Sequence, residues 1–322
     1  MARLYRRRGK FWWWRCIRDG KEIRESTRST DENVAREFMH RRLEEIDGHK
    51  SKAELRLPKV LILDIETAPM ETYVWSFWVN FIDPMSQVVK NKDGSPKDWS
   101  ILTYAAKWLF EPDVFSGMVT LAEANQRKDK SLIKSLWNLF EEADVIIAHN
   151  GDKFDIRRCA WRFKVNGLGP ASPFQTIDTL KVAKKAFGSP SNKQDYLNRA
   201  LGLKRKIHTE FELWERCVQR DQSGLDEMLE YNIGDISGLE DLYLEIRAWI
   251  RGPVNLSMYG ENEQKQCHNC LSVDLKLLTK PYTTPAGQYQ AYRCQRCGAI
   301  GRERYLDKTL KQRKNSILAT AR

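Results

Sequence analysis

The sequence predicts an α/β core carried between two smaller modules, a β-sheet with one helix ahead of it and a cysteine-built module behind it. Three observations predict this. Apolar runs that each end in carboxylates alternate with helical periodicity through the middle of the chain. Near the start, Asp19-Gly20 follows an aromatic run and is a two-residue hairpin signal. Near the end stand two Cys-x-x-Cys pairs. With 322 residues, two or three domains are expected. The boundaries fall at 1–48 for the first module, 49–57 for a polar linker, 58–252 for the core, 253–307 for the cysteine module and 308–322 for a basic tail.

In the first module a short strand is predicted over Leu4–Arg7, before a turn at Gly9. Phe11–Ile17 is a strand by its aromatic content, and Lys21–Thr27 returns from the hairpin turn. Alternation sends Trp13 to one face and Trp12 and Trp14 to the other. Ser29 with Glu32 three residues on has the pattern of a capping box. The helix it opens carries an apolar stripe of Val34, Ala35, Phe38, Met39, Leu43 and Ile46, so at least one tryptophan must pack on it. Residues 1–30 hold ten Lys or Arg against three acids. The pattern resembles the arm-type DNA-binding domain at the front of phage tyrosine recombinases, a three-stranded sheet plus helix. That resemblance implies DNA contacts from Arg6, Arg7, Arg8, Lys10 and Arg15.

In the core, Val60–Ile65 is aliphatic and β-branched and reads as a buried strand. Alternation places Asp64 and Glu66 on one face of it. Asp144–Ala148 is a second buried strand, and the chain then turns through Asn150 into a helix over Phe154–Phe163 that carries Asp155. Asp178 caps a helix running to Phe187. Gly188–Asn192 is a turn, and Asp195–Leu201 begins another helix. Leu225, Met228, Leu229, Ile233, Ile236, Leu239, Leu242 and Ile246 follow a helical period. Tyr231 and Asp235, four apart, share one face of that helix. Carboxylates gathered from separate elements hold hard divalent cations through oxygen, and a metal pair stabilises both oxygens exchanged in phosphodiester cleavage. The core therefore reads as a metal-dependent nuclease. His149 is expected to pack or cap rather than bind metal.

These signatures resemble the three exonuclease motifs of the DnaQ-like 3′–5′ exonucleases, on a ribonuclease H-like fold. Asp64-x-Glu66 matches the first, Asn150-x-x-x-Phe154-Asp155 the second, and Tyr231-x-x-x-Asp235 the third, of the tyrosine (DEDDy) subclass. The resemblance covers residues 57–252 and implies a mixed sheet flanked by helices. It implies that Asp64, Glu66 and Asp155 hold one Mg²⁺ or Mn²⁺, that Asp64 reaches a second, and that Asp235 supports the first. Thr67, Asn150 and Phe154 would contact the terminal nucleotide. A phenol with an ordinary pKa near ~10 is a weak base at neutral pH, so Tyr231 is expected to orient the attacking water. The implied partner is DNA with a single-stranded 3′ end, with duplex reached through the first module, and a polymerase or recombination complex as company. The local wording Asp195-Tyr196-Leu197-Asn198-Arg199-Ala200-Leu201-Gly202 is similar to phage-borne members, which implies phage DNA replication, repair or recombination.

In the last module, Cys267-x-x-Cys270 and Cys294-x-x-Cys297 supply four thiolates at the spacing of one tetrahedral structural Zn²⁺, and Gly298 follows the second pair. Thr279–Tyr292 between them is turn- and strand-like, so the module resembles a zinc ribbon. His268 is a bystander. Cys16, Cys159 and Cys217 show no partner pattern and are expected to be buried thiols.

Charge is uneven. Residues 1–56 carry sixteen basic and ten acidic side chains, 57–252 twenty-six and twenty-eight, and 253–322 twelve and five, for net charges of +6, −2 and +7. Basic appendages around a near-neutral core suit the capture of a polyanion by counterion release. No run of 18 apolar residues is present, which predicts no membrane span. Arg15 and Arg18 interrupt any leader built on Phe11–Trp14, and seven Cys without an export signal predict a cytoplasmic location, the host cytoplasm for a phage-encoded protein. Two rival functions stay open at this point: an RNA 3′–5′ exonuclease, and a non-catalytic DNA-binding or recombination factor on a nuclease scaffold.

Overall fold

A computed structural model describes residues 3–6, 10–18, 21–48, 57–78, 81–204, 209–252, 254–259, 264–284 and 287–304. The chain divides into two compact units, Met1–Leu55 and Arg56–Arg322.

In the first unit, β1 (Arg3–Arg6), β2 (Trp12–Arg18) and β3 (Lys21–Ser26) form an antiparallel sheet in that order, followed by α1 (Glu32–Gly48). The predicted hairpin residues Asp19 and Gly20 lie outside the described residues, as do Arg7 and Arg8. Alternation decides the core: Trp14 and Cys16 are buried with Met39 of α1, and Leu4, Ile23, Phe38 and Leu43 pack around them. The Ser29–Glu32 capping box does not form. The helix begins two residues later than that pattern requires, and Asp31 Oδ1 accepts from the Val34 N–H at 3.2 Å, which satisfies an orphan donor of the first turn. The Ser29 hydroxyl accepts from the Asp31 N–H instead. Arg42 of α1 clasps Glu25 of β3 through two bonds of 2.6 and 2.9 Å, and this pair holds the Glu25 carboxyl below its ordinary pKa.

The second unit is organised on β4 (Val60–Thr67), β5 (Ile101–Trp108) and β6 (Val114–Met118), followed by α2 (Leu121–Gln126), α3 (Lys130–Glu142), β7 (Val145–Ala148), α4 (Asp155–Val165), β8 (Gln175–Asp178), α5 (Thr179–Ala186), α6 (Gln194–Ala200), α7 (Phe211–Val218) and α8 (Gln222–Ile246). The sheet order is β6-β5-β4-β7-β8. β4 pairs antiparallel with β5 and parallel with β7, and β7 pairs parallel with β8, so the sheet is mixed. This is the ribonuclease H-like arrangement.

Strand alternation sorts the two faces. Leu61, Leu63 and Ile65 of β4 pack with Ile133, Leu136 and Phe140 of α3 and with Cys159 and Phe163 of α4. Val60 and Ile62 point the other way, to Ile236, Leu239 and Tyr243 of α8. Asp64 and Glu66 continue this second row and so project toward α8. Under the first face, Asp129 is fully buried and takes two bonds of 2.6 and 2.9 Å from Arg162. The same carboxylate accepts from the Ile101 N–H at 3.1 Å, which ties α4 to the start of β5.

After α8, the remaining strands are β9 (Leu275–Leu277), β10 (Tyr282–Thr284), β11 (Gly287–Tyr289), β12 (Ala291–Cys294) and β13 (Ile300–Arg302). β13-β12-β9 form one small sheet, and β10 and β11 form a hairpin. The two cysteine turns are built alike. The Leu271 N–H donates to Cys267 C=O and the Gly298 N–H to Cys294 C=O, each at 3.0 Å. Cys267 N–H and Cys294 N–H return to Ser272 and Ala299 carbonyls, each at 2.9 Å. The residue after each pair is left-handed, Leu271 at φ 61° and Gly298 at φ 77°. Glycine meets that demand without strain and leucine meets it at some cost. The four-cysteine module fits a zinc ribbon and is fastened to the core by Leu256 N–H on the His268 carbonyl at 2.8 Å and by the Asn269 side-chain amide on the Arg247 carbonyl. Among the described residues no helix is long and apolar enough to cross a membrane.

Candidate active site

Three of the predicted carboxylates meet at the α8 side of the sheet. One oxygen from each of Asp64, Glu66 and Asp235 lies within 4.8 Å of the others. β4 supplies the first two at alternate positions, and α8 supplies Asp235 from a buried position. A bulge between Glu66 and Thr67 breaks the β4–β5 register, as strands do where pairing ends beside a site. Thr67, an expected substrate contact, stands at that bulge.

Asp155 opens α4 beside this triad. It is buried, and its Oδ1 accepts from the Ile65 N–H, next to Asp64, at 3.3 Å. Burial pushes the Asp155 carboxyl well above the carboxylate range, and the negative charge of Asp64 pushes it further. The N–H groups of Asp155 and Ile65 oppose the shift, and Asp178 adds to it. Crowded carboxylates with raised proton affinity are what a divalent cation relieves, and an all-oxygen donor set suits Mg²⁺ or Mn²⁺. The residues present therefore fit such ions.

The Asp64 carboxylate is aimed by a residue that the motif reading passed over. Asn232, fully buried on α8, donates from Nδ2 to Asp64 Oδ2 at 2.7 Å. Its Oδ1 accepts from the Thr103 hydroxyl of β5 at 3.0 Å. Asn232 thus bridges three elements and fixes one oxygen of the triad. It stands directly after Tyr231, and a polar residue on the buried stripe of an amphipathic helix was the available signal. Tyr231 itself is half-buried one turn before Asp235, its ring edge-on to Trp214 at 6.3 Å.

The turn from β7 into α4 shapes the neighbouring wall. Asn150 takes φ 69°, a left-handed conformation that asparagine tolerates better than most residues. Its N–H donates to Asp178 Oδ1 at 3.0 Å. The same oxygen accepts from Leu180 N–H and Lys181 N–H at the start of α5, so Asp178 is the expected cap and also holds the turn. Gly151 is required here, because a Cβ would lie 2.5 Å from that of Ala148. His149 uses both ring nitrogens, Nδ1 with the Thr179 hydroxyl at 2.9 Å and Nε2 donating to the Asn192 carbonyl at 3.0 Å. It fastens the 188–193 turn to α5. Asp64, His149, Asn150, Lys184, Asn192 and Lys193 line a cleft of about 590 Å³. Phe154 differs from Asn150: it directly precedes α4 without capping it and packs against the core, with the Arg158 guanidinium 4.5 Å from its ring centre. Lys204, the first of three consecutive basic residues Lys204-Arg205-Lys206, donates to the Ser237 hydroxyl at 3.0 Å, and Arg205 and Lys206 lie outside the described residues.

Residues 108–247 match the RNase_H superfamily. The matched span holds Asp155, Tyr231, Asn232 and Asp235 and begins after β4, which carries Asp64 and Glu66. Among solved structures, the chain is similar to the family B DNA polymerase from the hyperthermophilic archaeon Pyrobaculum calidifontis, at 15% identity and a TM-score of 0.41. That alignment covers 59% of this chain and 25% of the polymerase. No curated protein sequence matches the chain.

The cysteine cluster is a second candidate metal centre. Cys267, Cys270, Cys294 and Cys297 bring their sulfurs together. Sγ–Sγ separations are 3.6 Å for Cys267–Cys297 and 3.5 Å for Cys270–Cys294. A tetrahedron with bonds of about 2.3 Å has edges of about 3.8 Å, so the set fits one Zn²⁺ with little adjustment. Burial pushes the Cys294 thiol up, but the Cys297 and Arg296 N–H groups and two neighbouring thiols outweigh it and bring it to about 7. Burial pushes the Cys270 thiol up to about 11. Cys16, Cys159 and Cys217 are buried, as expected.

In the N-terminal unit, Arg6 is exposed with its guanidinium 4.8 Å from the Trp12 ring centre, and Lys10 is exposed. Arg15 is exposed but pairs with Glu22 at 3.5 Å, which also holds Arg24 at 2.6 Å.

Proposed function

We propose that this protein is a divalent-metal-dependent 3′–5′ exonuclease acting on DNA ends. The observation that carries the proposal is the convergence of Asp64, Glu66 and Asp235 beside buried Asp155, on a ribonuclease H-like sheet. Asp64, Glu66, Asp155 and Asp235 would hold two Mg²⁺ or Mn²⁺ ions. Bound there, such ions supply Lewis-acid activation of water and counter-charge for the leaving oxygen. Asn232 holds the Asp64 carboxylate in one rotamer. Tyr231, on the face of α8 that carries Asp235, orients the attacking water. Thr67 and Asn150 line the approach of the terminal nucleotide, and the α5–α6 turn bounds it. The four-cysteine ribbon would hold one structural Zn²⁺. The N-terminal unit would bind duplex through Arg6, Lys10 and their neighbours, and the assembly suits DNA replication, repair or recombination of a phage type.

The test is digestion of end-labelled single-stranded DNA, duplex DNA and RNA with Mg²⁺ or Mn²⁺. Shortening from the 3′ end of DNA is expected, lost in Asp155→Ala and Asp64→Ala and only reduced in Tyr231→Phe. Full activity in Asp155→Ala would remove the site assignment, and preferred digestion of RNA would move the substrate.

A further inference from the structure

β4 and β5 are antiparallel neighbours, which two to five residues suffice to join. Here residues 68–100 are inserted between them as an arm. Its base is ordered by a ladder: Ala68 N–H to Ser100 C=O at 2.8 Å, Glu71 N–H to Lys97 C=O at 3.1 Å, Val89 N–H to Glu71 C=O at 2.8 Å and Tyr73 N–H to Gln87 C=O at 3.0 Å. Arg127 Nε holds the Pro69 carbonyl at 2.8 Å. Trp99 lies 4.2 Å from the Arg158 guanidinium, which also lies 4.5 Å from the ring of Phe154, next to Asp155. The arm therefore rises from the end of the sheet at which the carboxylates stand, and its root is clamped to α4 beside them.

The tip has no packing explanation among the described residues. Trp75 and Phe77 are each 101% exposed, Trp78 is 94% and Tyr73 is 74%. No charged residue occurs from Thr72 to Ile82, whereas Lys90 and Lys92 on the returning limb are exposed. The tip rings have no apolar floor beneath them among the described residues, so they do not form a groove for a helix. Open aromatic faces supply the stacking element of sequence-tolerant single-strand binding, while Lys90, bridged to Pro96, stands toward the root of the arm. Trp75 lies eight residues beyond Thr67, at most about 29 Å of extended chain, a span of a few nucleotides.

We propose that the tip of this arm, Tyr73, Trp75, Phe77 and Trp78, is a stacking platform for the bases of single-stranded nucleic acid whose 3′ end lies at the acidic site. This rests on the nuclease reading for where the strand ends, but the binding itself needs no turnover. The test is the affinity of the full chain for a fluorescein-labelled thymidine 20-mer and for an abasic 20-mer, in resin-treated buffer without added divalent ions. The comparison protein is the triple variant Trp75→Ala/Phe77→Ala/Trp78→Ala, whose side chains are solvent-exposed. The wild type is expected to bind the thymidine strand at least about 10-fold more tightly than the variant, since each stacked base contributes about 1–3 kcal/mol. The abasic strand should be bound weakly and alike by both. Equal affinity of wild type and variant for the thymidine strand overturns the proposal, as does tight wild-type binding of the abasic strand. Loss of self-association in the variant at unchanged DNA affinity, read by sedimentation, overturns it in favour of a contact between copies. If ring-dependent binding holds but no cleavage is found with any metal, the platform stands and the nuclease reading fails.

Discussion

Removing the Asn232 amide is the sharpest perturbation of the site that leaves every carboxylate in place. Asn232→Ala deletes a 2.7 Å bond to Asp64 Oδ2 and a 3.0 Å bond from Thr103. A hydrogen bond to a charged group contributes about 1.5–3 kcal/mol and a neutral one about 0.5–1.5 kcal/mol. Both partners are left short of a bond in a buried setting, so a loss of about 2–4 kcal/mol is expected. For a unit of this size that lowers Tm by roughly 4–16 °C. A functional effect should accompany the structural one, because residues that orient ligands carry about 10–100-fold in metal affinity or activity. Thr103→Val separates the two. It removes only the neutral bond and keeps the amide on Asp64, so stability should fall by about 1 kcal/mol with little change in metal dependence. Thermal melts and the Mg²⁺ or Mn²⁺ concentration for half-maximal cleavage, measured on both variants, provide the assay. Wild-type metal half-saturation and turnover in Asn232→Ala would refute the claim that this amide positions Asp64.

Three further predictions address other parts of the molecule. The folded pKa of Asp155 lies above its unfolded value, so the folded state binds more protons between the two, and stability without added divalent ions should fall as pH rises through that window. Asp155→Asn should flatten this slope in melts taken in resin-treated buffer and should abolish stabilisation by added Mn²⁺; an unchanged slope contradicts the electrostatic reading. Purified protein should carry one zinc per chain by elemental analysis, and Cys294→Ser should lose it and expose the ribbon to protease while the core melts near its usual temperature. Deleting residues 1–50 should weaken duplex binding and flatten its salt dependence, because fewer phosphates are neutralised, and an unchanged salt slope would assign that unit another partner.

What the sequence determined by itself are the features set by local geometry. Alternation along Val60–Thr67 puts Asp64 and Glu66 in one row, and the helical period puts Tyr231 and Asp235 on one face. The Cys-x-x-Cys spacing builds the two matching turns of the ribbon. The Asp178 cap, the buried thiols and the packing role of His149 were legible for the same reason: each depends on a residue and its near neighbours in the chain. The N-terminal helix start was misread because Ser29 and Asp31 both offer a capping oxygen, and only the path of the backbone selects Asp31. Tertiary structure alone decided the rest. Asn232 meets Asp64 across 168 positions, and Arg162 meets Asp129 across 33. The raised proton affinity of Asp155 arises from burial and from the charge of Asp64, which a different element carries. The arm between β4 and β5 had no sequence signal, because only the fold decides that its aromatics stand in solvent. Periodicity reports which side of an element is apolar; which element packs there, and which charges are thereby forced together, follows only from long-range contacts.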